Sequence, residues 1–288
     1  MTTVLHYKNS QKFYQKGLFV FFFLFTLFGW YKNGLQYVFL NKMSFVYSLN
    51  YVILSGVLIF IELINLLFLK KEKLSDKVNL GLFFILIMPV KMPLFIKACF
   101  LFLFLGLDII FNHHEKRVES KSFFTTLLIL YCLWKKIGME NEFESIGSYL
   151  YSIADYFLGF SVGSFGTTSI VLTIVFYFFL TTNFYYKKEL PLMLLSFYLL
   201  FAICYVILNH LPLDMTFLLN SSFLFGTVVL SCENEFTPVL KKEKIIFCFL
   251  VSLTTMVLNI LSINNSIYLS FFVYSFLYRL YAKIRYKE

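Results

Sequence analysis

The sequence predicts an all-α membrane protein whose 288 residues form a single integral membrane domain, and three observations support this fold class. Hydrophobic residues make up 59% of the chain and charged residues only 14%, whereas a soluble domain has about 25% charged residues. Apolar runs close to the ~20 residues that cross a hydrocarbon core recur along the whole chain. The lysines and arginines lie in short clusters between these runs. Folding alone cannot hide so much apolar surface from water, so we expect a lipid bilayer around it.

Ten apolar segments are candidates for membrane-spanning helices, which makes the predicted protein polytopic. They lie at residues 13–31, 51–69, 78–90, 92–111, 123–134, 168–186, 190–209, 215–232, 245–261 and 267–281. The third and the fifth are too short for a full crossing unless they are tilted, re-entrant or half-helices. We therefore expect about ten transmembrane helices.

The charges predict the orientation of these segments. With the N-terminus inside and ten crossings, nineteen Lys and Arg residues fall on the inner side and six on the outer side. This asymmetry follows the positive-inside rule and predicts that both termini lie in the cytoplasm. Membrane anchoring also explains the net charge of +9. No nucleic-acid partner is expected, because the basic residues are not clustered on one face.

Two segments about half a chain apart suggest an internal repeat. Residues 81–93 and 226–238 share the spacing of a glycine and a proline, and a lysine matches at the same offset of 145 residues. The halves would be residues 1–136 and 158–288, joined by an outer loop at 137–157. Two five-helix halves have opposite orientations, and interrupted helices in equivalent positions then form the central site. A chance match of so few residues would explain the same pattern.

Glu62 lies inside the second span, with Asn65 one turn later on the same helix face. A carboxylate at the bilayer centre costs about 2.5–3.5 kcal/mol, so it must face partners or water. Two explanations fit this pair. One is an ion or proton relay, and the other is a carboxylate near the membrane interface that reaches for Lys70 or Lys71.

Breaks at the ends of the third and eighth spans supply further candidates for an ion path. Pro89 interrupts the third span, and Glu233 and Pro238 follow the eighth. These positions would meet at the centre of an inverted repeat, although an ordinary polar loop is the alternative for residues 233–238. No metal site is expected, because the Cys and His residues lack ligand spacing. No catalytic motif is present either.

A segment rich in glycine and hydroxyl groups opens the sixth span. Its candidate binding residues are Gly163, Ser164, Gly166, Thr167, Thr168 and Ser169. Glycines allow another helix or a ligand to approach the backbone closely. Hydroxyl groups at a helix start cap free N–H groups, and a helix N-terminus also attracts anionic groups such as phosphate. A plain helix cap and a cofactor site both fit this segment.

Four passages of the sequence resemble one family. Residues 163–169 are similar to Gly-Ser-Ile-Gly-Glu-Thr-Ser, residues 225–239 to Met-Ala-Thr-Asp-Pro-Val-Thr-Ser-Pro, and residues 242–247 to Lys-Gly-Arg-Leu-Ile-Phe. In the first half, residues 81–93 resemble Gly-Leu-Leu-Leu-Ala-Leu-Thr-Leu-Pro-Pro. These motifs are typical of the RnfD/NqrB family, the ten-helix flavoprotein subunits of ion-translocating Rnf and NADH:quinone reductase complexes. The resemblance is specific from about residue 158 to residue 247.

The resemblance implies a translocase subunit that couples electron transport to ion translocation, with other Rnf-type membrane subunits as partners. It also implies FMN, which the family attaches to a threonine of the outer loop. That loop here, residues 135–160, contains no threonine, so we expect no covalent FMN threonine and a flavin that is non-covalent or lost. Two other classes stay open: a stand-alone small-solute channel or permease, and a structural membrane subunit without a redox site.

Overall fold

The computed structural model describes residues 2–113, 152–161, 163–183, 186–210, 221–231, 240–261 and 265–286, together with residues 238 and 263. Every regular element within these ranges is a helix, which confirms the all-α class for this part of the chain. The predicted fifth span at residues 123–134, Glu233 and most of the predicted outer loop lie outside the described residues.

The first half contains six helices among the residues described. Helix α1 (Thr2–Trp30) continues through a π-helical turn (Tyr31–Leu35) into α2 (Gln36–Phe39), and α3 (Phe45–Ser48), α4 (Ile53–Ile64), α5 (Glu72–Ile87) and α6 (Leu94–His113) follow. A second π-helical turn, Asn65–Leu69, extends α4. These helices coincide with the first four predicted spans, and the first two begin or end several residues beyond the predicted limits.

The described part of the second half begins with the short helix α7 (Ile153–Leu158). The remaining helices are α8 (Ile170–Thr181), α9 (Glu189–Leu208), α10 (Ser221–Leu230), α11 (Lys241–Ile260) and α12 (Ser266–Tyr286). Helix α7 overlaps the end of the predicted outer loop at 137–157 and starts with a capping box between Ser152 and Asp155, which satisfies free N–H groups at the helix start.

Within the described residues, three helical stretches are long and apolar enough to cross a membrane: Tyr14–Phe39, Glu189–Leu208 and Lys241–Ile260. The helices Phe45–Tyr51 and Ile53–Leu69 meet at an angle of 67° and make a fourth if the bent pair is one span. The shorter apolar helices are Leu94–Gly106, Ile170–Thr181, Ser221–Leu230 and Ser266–Ser275. The described chain is therefore an all-helical protein with a few helices of membrane-spanning length.

Helix α5 lies at the centre of the first half. Every residue from 78 to 90 is buried, and α1, α4 and α6 pack around this helix. A helix that is apolar on all sides belongs inside a bundle, so other helices rather than lipid surround the short third span. The helix ends at Met88, whose backbone is extended (ψ 145°). The following proline disfavours the helical conformation of the residue before it.

Helix α10 has the equivalent position in the second half. It has ten residues, most of them buried, and it packs against α8, α9 and α12. Its Phe225 ring stacks on Phe83 of α5, with ring centroids 6.1 Å apart, and meets the edge of Phe25 at 5.0 Å. These aromatic contacts join the centres of the two halves.

Several contacts bring the lysine-rich segments to one end of the bundle. Near the start of α5, Asp76 accepts a 2.5 Å hydrogen bond from Gln15 of α1. Gly17 of α1 packs against the ring of Phe179 near the end of α8. The start of α11 lies beside the start of α9, since Lys244 Nζ is 3.8 Å from Glu189 Oε2.

Helix α12 ends at the same place, because its Tyr278 donates a 3.0 Å hydrogen bond to Glu243 of α11. We call this region the basic end. The lysines of its described segments are Lys16, Lys70, Lys71, Lys73, Lys77, Lys187, Lys188, Lys241, Lys242 and Lys244. All of them belong to segments that the charge distribution predicts to be on the inner side.

Candidate functional site

Glu62 and Asn65 form a buried polar cluster with Ser75 of α5. Both Glu62 and Asn65 are 1% exposed. Glu62 Oε1 accepts a 2.5 Å hydrogen bond from Ser75 Oγ, and Glu62 Oε2 accepts a 3.3 Å hydrogen bond from Asn65 Nδ2. Asn65 Nδ2 also lies 2.9 Å from Ser75 Oγ. We call these three residues the Glu62 cluster.

The connection between α4 and α5 positions this cluster. The π-helical turn begins at Asn65, and Lys70 closes it with a left-handed backbone (φ 51°). The Asn65 side chain accepts from the Lys71 N–H and donates to the Lys71 carbonyl, both at 3.0 Å. These bonds fix the start of α5 so that Ser75 faces Glu62. Single π-helical turns are often found at functional sites.

The partners of Glu62 bear on one of the two explanations offered by the sequence. Lys70 and Lys71 are exposed, and within the described chain Glu62 bonds to Ser75 and Asn65 instead of to either lysine. The expectation of a carboxylate that reaches for Lys70 or Lys71 is therefore wrong. Neutral donors stabilise the buried carboxylate, as a buried polar group requires.

A cleft of about 220 Å³ at the basic end leads to this cluster. Its lining residues are Gln15, Lys16, Asn65, Leu66, Lys70, Lys71, Glu72 and Ser75. It opens to the surface between the exposed lysines and Glu72, and it reaches Asn65 and Ser75. Both hydrogen-bond partners of Glu62 therefore line a space that solvent can enter, while Glu62 lies behind them.

The proline breaks lie apart from Glu62 in the first half. Pro89 is buried in the turn that follows α5, and α5 separates it from Ser75 by about 18 Å, at 1.5 Å per residue over twelve residues. The neighbouring Val90 carbonyl accepts a 2.9 Å hydrogen bond from Lys97, whose ammonium lies 5.9 Å from the centre of the Tyr51 ring. The structure does not bring Pro89 to the Glu62 cluster.

Pro238 is buried just before α11. Because α11 begins at the basic end, Pro238 and Pro89 lie near opposite ends of the bundle. The predicted meeting of the two prolines at one central point is therefore not observed. Glu233 lies outside the described residues, so its place in an ion path stays a prediction.

The 163–169 loop, which connects α7 to α8, uses its hydroxyl groups within the protein. Ser169 Oγ accepts a 3.3 Å hydrogen bond from the Leu172 N–H and so caps α8. Thr168 Oγ1 donates to the Gly159 carbonyl at 2.7 Å, and the hydroxyls of Ser164 and Thr167 bond to each other. All four side chains are buried.

Side chains of the π-helical turn after α1 hold the same loop. Lys32, which is 1% exposed, donates to the Ser161 carbonyl and to Thr168 Oγ1, the latter at 3.1 Å. Asn33 Nδ2 donates to the Phe165 carbonyl at 3.0 Å. A lysine at the end of a hydrophobic helix is thus turned into the protein to bind the loop.

The loop also completes the end of α5. The N–H groups of Phe165 and Gly166 donate to the carbonyls of Met88 and Leu86 at 3.2 and 3.3 Å. Because the chain breaks at Pro89, the last carbonyls of α5 lack the helical donors that would normally follow. The backbone of the loop replaces those donors, so the proline break and the glycine-rich segment depend on each other.

Close packing leaves little room for a cofactor at this loop. A Cβ at Gly166 would meet the side chain of Leu86 and lie 2.9 Å from the Phe25 carbonyl oxygen, and one at Gly163 would lie 2.6 Å from the Thr168 methyl group. The hydroxyls already have protein partners. The residues of this loop therefore do not fit a flavin phosphate, and the geometry is that of a helix cap that locks α1, α5 and α8 together.

Two residues of these sites were not singled out from the sequence. Lys32 was counted as an outer charge at the end of the first span, where a lysine usually extends its ammonium to the membrane surface. Ser75 lies thirteen residues after Glu62, on the next helix. Only the tight connection between α4 and α5 could have indicated that it faces the carboxylate.

Comparisons with protein families and with curated proteins find no match for this chain. The resemblance to the RnfD/NqrB family therefore rests on the short motifs quoted above. Within the described ranges, no group of three His, Cys, Asp or Glu side chains could hold a metal ion. Fold and site define a helical protein with membrane-length helices and a buried carboxylate cluster below a basic cleft.

Proposed function

We propose that the protein is a divergent RnfD-type membrane subunit of an ion-translocating electron transport complex. It would cross the bacterial cytoplasmic membrane ten times, as two inverted five-helix halves with both termini in the cytoplasm. Its task would be to form part of the ion path, while partner subunits supply the redox centre. The protein part of such a complex positions the centre and shapes the path.

The arrangement of α5 and α10 is the observation that carries this proposal. Both are short, buried helices that start and end at similar places when the halves are offset by 145 residues. They run in opposite directions relative to the basic end. Helix α5 begins there at Glu72, whereas α10 approaches it at Val228, whose carbonyl accepts a 3.1 Å hydrogen bond from Tyr186. Opposed central helices of this kind are typical of inverted repeats.

The same offset relates the surrounding helices. It pairs α1 with α8, α4 with α9, and α6 with α11, and it pairs the predicted span at 123–134 with α12. Around the central helices, α5 packs against α1 and α4 as α10 packs against α8 and α9. These equivalent contacts support the repeat more strongly than the few matching residues do.

The filled interface between the central helices favours a subunit over a stand-alone permease. A carrier with inverted repeats binds its solute where the repeats meet. In the part of the chain that is described, aromatic side chains fill this region, and five of them are fully buried: Phe25, Phe83, Phe176, Phe225 and Tyr268. Among the residues that the structure describes, a polar solute would find no hydrophilic path between α5 and α10.

Purification of the tagged full-length chain from detergent-solubilised membranes tests the proposal. We expect other Rnf-type membrane subunits to co-purify, identified by mass spectrometry, and a redox centre to be detected in the complex by its absorption spectrum. A chain that purifies alone and mediates solute uptake in liposomes would be a permease instead. If Glu62→Gln left coupled ion transport by the complex intact, the chain would be a structural subunit.

Reporter fusions test the predicted topology separately. A fusion at each terminus should report a cytoplasmic location, because an even number of crossings returns the chain to the starting side. Termini on opposite sides of the membrane would contradict two complete five-helix halves.

A further inference from the structure

We infer that the Glu62 cluster is a proton-binding site that exchanges its proton with the basic end through the adjacent cleft. This inference rests on the proposed function, because it names the ion that such a path would carry. It stands on the donors around Glu62, on the position of Ser75 between Glu62 and the cleft, and on the charges along the cleft wall.

The hydrogen-bond directions around Glu62 suit a proton better than a metal cation. Asn65 Nδ2 can only donate, so Ser75 Oγ accepts from it at 2.9 Å and is left to donate its own proton to Glu62 at 2.5 Å. Hard cations need several oxygen ligands with free lone pairs. Here Ser75 donates to one carboxylate oxygen, and Asn65 Nδ2 shares its two N–H groups among the other oxygen, Ser75 and the Lys71 carbonyl, so hydrogen-bond donors and not further oxygen ligands face the carboxylate.

The charges around the cleft also select against metal cations. Lys16 of α1 and Lys70 and Lys71 of the connection line the cleft, against the single carboxylate of Glu72. Wall charges of one sign repel ions of that sign and lower their local concentration. Farther along α5, Asp76 bonds to Gln15, and the pKa of Lys77 is lowered by burial, an effect that Asp76 opposes.

Ser75 provides the step between water and the carboxylate. It lines the cleft and lies within proton-transfer distance of Glu62. Ser75 Oγ would take a proton from a neutral water molecule in the cleft as it passes its own hydroxyl proton to Glu62 Oε1, and the hydroxide ion left behind returns to bulk water. The carboxylate then becomes a carboxylic acid and Ser75 is regenerated. Release follows the same atoms in reverse.

Labelling with dicyclohexylcarbodiimide tests this inference, because the reagent adds to a protonated carboxyl group in an apolar environment. The purified full-length protein is labelled over a pH series, with and without sodium chloride, and the modified residue is located by peptide mass spectrometry. We expect Glu62 to be labelled and its labelling to be lost as the pH rises, because the reagent needs the protonated carboxyl group. Sodium ions should not protect it.

Variants sharpen the assignment. Glu189→Gln, which removes a carboxylate of the basic end that lies outside the cleft and beside Lys244, should leave the labelling of Glu62 unchanged. Ser75→Ala should change the labelling of Glu62, because it removes the hydroxyl that connects the carboxylate to the cleft. Because wild-type peptides locate the label, the test does not depend on a Glu62 variant that folds.

Two results would overturn the inference. Protection of Glu62 by sodium at constant pH would identify a metal-cation site, and absence of label at every pH would mean that Glu62 takes up no proton. Neither measurement needs partner subunits or electron transfer. A failure here is therefore distinguishable from a failure of the proposed function, which is decided by co-purification.

Discussion

Two buried polar clusters lie at opposite ends of α5, and they differ in where their hydrogen bonds end. At one end Lys32 and Thr168 donate to backbone carbonyls of residues 159–161. At the other end Asn65 and Ser75 hold Glu62 and also line an open cleft. Both clusters contain charged or hydroxyl side chains that are almost fully buried, so burial alone does not separate a structural cluster from a functional one.

The two clusters differ in how much hydrogen-bonding capacity their side chains have left for groups outside the protein. In the 163–169 loop the hydroxyls bond to each other, to backbone groups and to Lys32, and Gly166 is packed against α1 and α5. In the Glu62 cluster, Ser75 connects a buried carboxylate to a cleft that opens to the surface, where we infer that it exchanges protons. The loop is therefore expected to respond to substitution with a loss of stability, and the Glu62 cluster with a change in its response to pH.

The largest effect is expected for Gly166→Ala in the loop. The new methyl group would meet the Leu86 side chain and the Phe25 carbonyl oxygen, and the backbone cannot move easily away from it. Such overpacking costs about 1–3 kcal/mol, which should lower the thermal unfolding midpoint in detergent. Gly56→Ala in α4 is the control, because its Cβ would meet no atom within 4 Å. Equal midpoints for the two variants would contradict the close packing of the loop.

Thr168→Val should have the next largest effect. The substitution keeps the shape of the side chain but removes the 2.7 Å bond to the Gly159 carbonyl and an acceptor for Lys32. Hydrogen bonds inside membrane proteins are worth about 0.6 kcal/mol on average and up to about 1.7 kcal/mol each. We expect a loss of about 1–2 kcal/mol in the free energy of unfolding, measured by denaturant titration in detergent. Thr182→Val is the matched control, because its exposed hydroxyl bonds only within α8.

Asn65→Ala should distinguish the two clusters most directly. It removes the bonds to Glu62, to Ser75 and to the Lys71 backbone, with an expected loss of about 1 kcal/mol. Unlike Thr168→Val, it should also change the rate at which carbodiimide labels Glu62, because that carboxyl group loses a hydrogen-bond donor. Asn209→Ala provides the comparison, since its amide donates only to a carbonyl of its own helix. An unchanged labelling profile would exclude Asn65 from the proton site.

The sequence predicts the helical class and the grouping of the lysines well. The lengths of the apolar runs and the positions of the charges depend on the local sequence. Each span predicted from them within the described residues coincides with a helix. The run lengths also indicated that the third span, residues 78–90, is too short for a full crossing. In the structure this segment belongs to a central helix, which explains its short length without any tilt in the bilayer.

Contacts between distant segments could not be predicted in the same way. Lys32 binds Ser161 across 129 residues of sequence, and no periodic pattern encodes which loop a helix end will meet. The 163–169 segment illustrates this limit. Its composition fits a ligand site and a helix cap equally well, and only the positions of Leu86, Met88 and Lys32 separate the two.

The smallest predicted effect concerns Lys187, which lies at the basic end outside the predicted spans. Partial burial lowers the pKa of Lys187 from 10.5 to about 8, and the nearby charge of Lys244 adds to this effect. The folded protein therefore holds fewer protons than the unfolded chain between about pH 8 and pH 10.5, and its stability rises with pH across that interval.

Lys187→Gln should remove this rise and leave the variant slightly more stable than the wild type at pH 7. The gain should stay below about 1 kcal/mol, because solvent screens a half-exposed charge. Thermal unfolding of both proteins from pH 7 to pH 10.5 measures the difference, and Lys188→Gln, at an exposed neighbour, is the control. If the difference in unfolding midpoint between the wild type and Lys187→Gln were the same at every pH, the Lys187 ammonium would be charged equally in the folded and the unfolded states. Lys187 would then not be affected by the neighbouring lysines of the basic end.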